Sequence, residues 1–311
     1  MLRFGVLDRE KYRRLSPNRR VAGSHVALTL LETQEPPSAA DIADFEDVCF
    51  ALRLSNRTFR TSFRNRFPDV NARIGAILES SFDRQEALRI EDRAVSHGLT
   101  AFEWASEILV KFPLATFEAS DLILDLRALT TPDGTTFVTE SDGTPLQAIS
   151  SPWVVSICHR EPRRYPLNHL LSWWYRRRWA RLALPTGWPD RDSVGECRVR
   201  KIPFVHPEAR ALARTEPRFQ VVCRSAFDVS AEPCHAVRTM NIFIRSYFSA
   251  DMLRQGCDGF WVLGRTTEGN FQNHASILRR GEKQWELVER IGQGADVEDL
   301  VLQYVAGPSA G

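Results

Sequence analysis

The chain has 311 residues, of which 43% are hydrophobic and 26% charged, with a formal net charge of +2. That length exceeds the roughly 100–200 residues of one domain and supplies ample apolar surface for a core, while the near-neutral balance excludes attraction of the whole molecule to nucleic acid or membrane. The six cysteines include no CxxC pair, so reduced and mostly buried thiols are expected in place of a disulfide framework.

Residues 1 to about 35 are basic and irregular, with loops at Ser16-Pro17 and Pro36-Pro37, and read as a loosely held arm. They hold no apolar stretch followed by a small-residue cleavage site, and nowhere is there a run of about 18 apolar residues, so a cytoplasmic protein without a transmembrane segment is expected. Ser38 is placed to cap a helix carrying Ile42, Phe45, Val48, Cys49 and Leu52 at helical spacing. A more basic helix over Asn56 to Phe67 and another over Val70 to Ser80 complete a small helical lobe, giving a first division at residues 1–86.

From Leu88 the pattern becomes α/β. A strand over Leu88 to Val95, a turn over Ser96 to Gly98 and a helix with Phe102, Ala105, Ile108, Leu109 and Phe112 on one face form a strand-turn-helix unit. A second strand ends at Asp121, with a helical crossover of the kind parallel pairing needs. Thr135 to Glu140 and Pro145 to Ile149 flank Asp142-Gly143 and predict a β-hairpin at the sheet edge, which Trp153 to Cys158 extends. Residues 160–181 then carry seven arginines against one acid, interleaved with Trp173, Trp174, Tyr175 and Trp179. Such a helix could stack bases, meet anionic lipid, cover an acidic substrate, or simply pack by its tryptophans. Beyond it come a strand over Cys197 to Val205, a helix over His206 to Thr215, and strands over Arg218 to Cys223 and Ala236 to Ile242. A helix over Ser249 to Gln255, a strand over Gly259 to Gly264, and a hairpin of Ala275 to Arg280 with Gln284 to Ile291 close the pattern, giving a main domain over 87–305 with an insertion at about 130–190.

Three motifs carry chemistry. In Asp92-Arg-Ala94-Val-Ser96-His-Gly98, small residues alternate after an acid, which lets a backbone approach a ligand. Asp121 ends the second strand, where nucleoside-binding sheets place an acid for ribose hydroxyls. Arg238 and Asn241 stand at the exit of a later strand, on the ligand-facing edge of such sheets. His97 reads as a solvent-facing loop residue, Tyr247 as buried at a helix start, and His159, His206 and His235 lack metal-ligand spacing.

Together these motifs and the element order resemble class I S-adenosylmethionine-dependent methyltransferases. Asp92 to Gly98 is similar to that family's first motif, with Ala94 and Ser96 replacing two glycines. Val237 to Asn241 is similar to the fourth-strand exit of chemotaxis-receptor methyltransferases, and Gly259 to Gly264 to the fifth strand. The resemblance implies an α/β, Rossmann-like sheet, mostly parallel with an antiparallel C-terminal hairpin, plus an N-terminal helical lobe and an inserted β-hairpin. It implies S-adenosyl-L-methionine as cofactor, held by Asp92, Ala94, Ser96, Gly98 and Asp121, with Arg238 and Asn241 near an acceptor that is a small molecule or a protein. Arg224-Ser225 stands where the family often has an acid beside the adenine, which keeps open a methyltransferase-like module without catalysis. A nucleic-acid binder using residues 160–181 is the third reading.

Overall fold

The computed structural model describes residues 5–15, 25–55, 60, 62–159, 165–228, 232–243, 259–267, 269–282 and 284–303. In chain order these form β1 (Gly5–Val6), α1 (Arg9–Arg13), β2 (His25–Val26), a 3-10 turn (Leu28–Leu31), α2 (Ala39–Ala51), α3 (Pro68–Ser81), β3 (Arg89–Arg93), α4 (Leu99–Lys111) and β4 (Thr116–Asp121). Next come β5 (Asp125–Thr130), β6 (Thr136–Glu140), β7 (Pro145–Ser150), β8 (Trp153–Ser156), α5 (Pro166–Arg181), β9 (Ser193–Val194) and β10 (Cys197–Pro203). The last are α6 (Pro207–Thr215), β11 (Phe219–Cys223), β12 (Ala236–Met240), β13 (Phe260–Thr266), β14 (Asn273–Arg280), β15 (Trp285–Ile291) and α7 (Glu298–Gln303).

Two compact units result, one of Met1–Ser62 with Ile123–Pro207 and one of Phe63–Leu122 with Glu208–Gly311. The sequence expectation of a lobe over 1–86 and a domain over 87–305 groups the chain differently, because α3 packs with the second unit and the insertion belongs with the N-terminal residues.

The first unit holds a six-stranded antiparallel sheet in the order β8-β7-β6-β5-β10-β9. This corrects the expectation of a hairpin at the edge of the main sheet, and of Cys197 to Val205 as a strand of the main α/β domain. Alternation along β5 and β6 explains the layers: Leu126, Ala128 and Val138 face a core with Tyr12, Leu31, Phe45 and Val48, whereas Leu129 and Phe137 face one with Tyr175 and Trp188. Gln147 ties the N-terminal segment to the sheet, its Oε1 accepting from the Leu28 amide at 2.9 Å and its Nε2 donating to the Val26 carbonyl at 2.8 Å. The described part of the expected loose arm is therefore packed in place, because Val6, Tyr12, Leu28, Leu30 and Leu31 give it an apolar face. Residues 1–4 and 16–24 lie outside the described residues.

Ser38 caps α2 through a reciprocal box in which the Asp41 amide donates to Ser38 Oγ at 3.1 Å and the Ser38 amide donates to Asp41 Oδ2 at 3.1 Å. The Ser38 hydroxyl, opposed by burial and then joined by the Ser38 amide and Arg9, holds the Asp41 carboxyl down to about 2. A depressed carboxylate stabilises the fold above its unfolded value of about 4, and that contribution is lost as pH falls toward about 2. Asp41→Ala is therefore expected to cost roughly 1 kcal/mol at pH 7, discounted for screening at this partly exposed pair, and to cost less as pH falls through about 2. Urea unfolding midpoints of both proteins across that pH range check this; a cost that does not shrink on acidification contradicts it.

The second unit holds a seven-stranded sheet in the order β11-β4-β3-β12-β13-β14-β15, parallel from β11 to β13 and antiparallel beyond. The expected helix over Asn56 to Phe67 is absent from its described residues, which are irregular, with a turn and a bend before Pro68 opens α3; proline is suited to a first helical position and its predecessor is pushed out of helical geometry. The expected helix over Ser249 to Gln255 and Tyr247 fall outside the described residues. Five free cysteines are described: Cys49 and Cys234 are buried, Cys158 and Cys197 half-buried, and Cys223 is exposed, which corrects the expectation that most are buried. No helix among the described residues is long and apolar enough to cross a membrane.

Candidate functional site

Numbered within the sheet, β3 is the first strand, β4 the second, β11 the third, β12 the fourth and β13 the fifth, so the order is 3-2-1-4-5. The direction of strand addition reverses between β3 and β12. Open α/β sheets bind ligands outside the carboxyl ends of the strands at such a reversal. Two segments leave that edge side by side, residues 94–98 after β3 and residues 241–243 after β12.

The first segment has an unusual backbone. Ala94, Ser96 and Gly98 take φ values of 59, 62 and 86°, the left-handed region at three alternate positions, and Asn241 joins them with φ 63°. A Cβ makes that conformation unfavourable by about 1–2 kcal/mol per residue, so surrounding contacts must hold it. They are present: the Val95 amide donates to the Ser120 carbonyl at 3.1 Å, and the Ser96 amide to Asp121 Oδ2 at 2.8 Å. Gly98 then opens α4, which buries Leu99, Trp104, Ala105 and Ile108. Asn241 is clipped by its own amide to the Gly264 carbonyl and by Oδ1, which accepts from the Thr266 amide, both at 2.7 Å. The structure thus brings Ala94, Ser96, Gly98, Asp121 and Asn241 to one edge of the sheet.

Asp92 and Arg238 are brought to each other instead. They are register partners on β3 and β12, and Arg238 Nε and Nη2 donate to Asp92 Oδ1 and Oδ2 at 3.0 and 2.5 Å. Arg238 also donates to Asn71 Oδ1 on α3 and to the Thr100 carbonyl on α4, and its guanidinium lies 4.4 Å from the Trp104 ring centroid. With Arg238 fully buried and both Asp92 oxygens engaged, these residues act as a brace across two strands and two helices. The sequence expectation set them beside cofactor and acceptor; in the structure their polar atoms are engaged with each other, with Asn71 and with Thr100. Burial pushes the Asp92 carboxyl up, and Arg238 works against that. Asn71 and Thr100 were missed in the sequence, although Asn71 stands out as a polar residue on the apolar face of Val70, Ile74 and Leu78.

The opposite face of β3 carries a second ionic set. Glu91 is fully buried and accepts from Arg93 Nη2 at 2.8 Å and Arg224 Nη2 at 3.1 Å, and Arg224 also reaches Glu118 at 2.5 Å. Arg224, noted for replacing an acid, therefore spends its charge on neighbouring strands. His97 is fully buried, which corrects its expected exposure. His206 lies 3.1 Å from Glu46, His159 2.9 Å from the Leu54 carbonyl, and His235 Nδ1 accepts from the Arg89 amide at 2.9 Å, all of them packing roles. No group of three metal-ligating side chains occurs among the described residues. A shallow pocket lined by Glu79, Phe82, Arg84, Val110, Lys111 and Phe112 lies at the amino ends of the strands, away from this edge.

No protein family and no curated protein matches the sequence. Among solved structures, the chain is similar to one assigned as a protein-L-isoaspartate O-methyltransferase (beta-aspartate methyltransferase) of Plasmodium falciparum in complex with S-adenosyl-L-homocysteine, at 7% identity and a TM-score of 0.30 over 73% of each chain. A likeness of that size carries no argument. The second unit is a mixed α/β unit with a largely parallel seven-stranded sheet.

Proposed function

We propose that the second unit binds S-adenosylmethionine at the carboxyl edge between β3 and β12 and transfers its methyl group to an acceptor. The observation that supports this reading is the run of left-handed backbone at Ala94, Ser96 and Gly98, the positions where the resemblance calls for glycine. Small residues held in that conformation let a ligand approach the main chain. The Ser96 hydroxyl, buried and without a hydrogen-bond partner among the described residues, is available to such a ligand. Asp121 fixes the loop and lies where a ribose would be read. Asn241 orients the methionine end or the acceptor. When bound, the cofactor supplies a methyl group on a sulfonium, and the protein's share of an in-line displacement is alignment. Asp92 and Arg238 serve as positioning residues beneath the loop.

A second reading, a methyltransferase-like module without catalysis that does not take the cofactor, is favoured by the engagement of both Asp92 oxygens by Arg238. Calorimetric titration with S-adenosylmethionine and S-adenosylhomocysteine tests the proposal. Micromolar binding is expected, weakened at least about tenfold in Asp121→Ala. Asp121→Asn keeps an acceptor for the Ser96 amide, so it separates loss of a ligand contact from collapse of the loop. A folded protein that binds neither compound overturns the proposal.

A further inference from the structure

We propose that the outer face of α5 docks on an anionic phospholipid surface. The inner face pins the helix to the six-stranded sheet: Ser172 Oγ donates to the Ser156 carbonyl at 2.8 Å, Arg178 donates to Asp133 Oδ1 at 2.5 Å, and Trp179 lies 5.2 Å from Phe137. Held this way, the helix cannot roll to hide its other side. That side leaves Leu167, Leu170, Trp173 and Trp174 at 50, 59, 48 and 47% exposure, an apolar stripe that water solvates poorly. Arg176, Arg177 and Arg181 share the same exposed face. None of the three forms an ion pair among the described residues, and α5 contains no acid to neutralise them.

Leucine and tryptophan seated at the acyl boundary, with arginines reaching headgroup phosphates, is the composition of an interfacial helix. A single-stranded nucleic acid fits less well. Leucines offer no ring for a base to stack on, and the arginines already cover the rings: Arg177 lies 4.1 Å from the centroid of Trp173, and Arg178 5.5 Å from that of Trp174. The near-neutral charge of the whole chain makes the attraction local to this helix. It is independent of the proposal for the second unit.

The test is co-sedimentation of the full chain with phosphatidylcholine vesicles, with and without phosphatidylglycerol. Binding only to the anionic vesicles is expected, falling as salt is raised. The triple variant R176Q/R177Q/R181Q is expected to bind at least about tenfold more weakly, since each basic residue near such a surface contributes. L167S/L170S keeps every charge and is also expected to lose binding, which a purely ionic contact would not show. Both variants change exposed side chains, and their circular dichroism is expected to match the parent. The proposal is overturned by equal binding to both vesicles, by no binding to either, by an unaffected variant, or by an oligonucleotide that binds in preference to anionic vesicles.

Discussion

Arg238→Met is expected to lower the unfolding free energy by about 3–5 kcal/mol, the cost of leaving a buried charge without its partner. The substitution keeps most of the side-chain volume, so the loss reports the ion pair more than a cavity. It strands Asp92, which has no second cation among the described residues, and it removes the bonds to Asn71 and Thr100 that tie α3 and α4 to the sheet. Lysine is not expected to rescue the variant, because a point charge cannot reproduce a fork that serves both carboxylate oxygens. Pairing the change with Asp92→Asn is expected to cost less than the sum of the single changes, since each alone leaves the other group unpaired. Urea unfolding of the four proteins measures this cycle. A cost below about 1 kcal/mol for Arg238→Met would mean that the brace does not form in solution.

Gly259→Ala is expected to destabilise by about 3 kcal/mol, the upper range for forcing extra volume into a packed site. A Cβ at Gly259 would lie 2.0 Å from the His235 carbonyl oxygen and 2.9 Å from its Cα, which is backbone and cannot swing aside. That same oxygen accepts from the Phe260 amide at 2.8 Å, and the Gly259 carbonyl accepts from Arg280 at 2.9 Å, so relief on one side breaks the ladder on the other. A thermal melt shows the effect directly. Gly134→Ala offers a contrast: nothing lies within 4 Å of its Cβ position, so its cost comes only from φ 83°. Equal losses for the two glycines would contradict the steric account.

How much of this was legible depended on how far apart the partners lie in the chain. The unit from β3 through α4 was read closely, because Phe102, Ala105, Ile108, Leu109 and Phe112 repeat at helical spacing and Gly98 marks the start. Ala94, Ser96 and Gly98 were picked out by their small side chains, and the structure adds that all three share a left-handed backbone. β5 was missed, since Asp-Leu-Arg-Ala-Leu-Thr alternates weakly and its ion partner Lys201 arrives some seventy residues later, 2.6 Å from Asp125. For the same reason a local pattern gave the hairpin of β6 and β7 but assigned it to the wrong sheet. The pairing of Asp92 with Arg238 was not read for a related cause: periodicity marks a strand and a motif marks a position, yet neither tells which distant charge will meet it. Buried charges on β3 are uncommon in a parallel sheet, whose strands usually read as apolar runs. They are tolerated here because Arg238 on β12 and Arg224, just past β11, meet them from much later in the chain.

That delay bears on how the protein is made. Asp92 and Arg238 are 146 residues apart, and the whole stretch from Ile123 to Pro207 between them belongs to the other compact unit. During synthesis β3, α4 and β4 emerge long before β12 can pair with β3. Until then Asp92 has no Arg238 and Glu91 no Arg224, with Arg89 and Arg93 of the same strand beside Glu91, and water is the best solvent for Asp92. The strand is thereby kept from premature burial, and closure of the sheet waits for a long-range contact of the kind that sets slow folding rates.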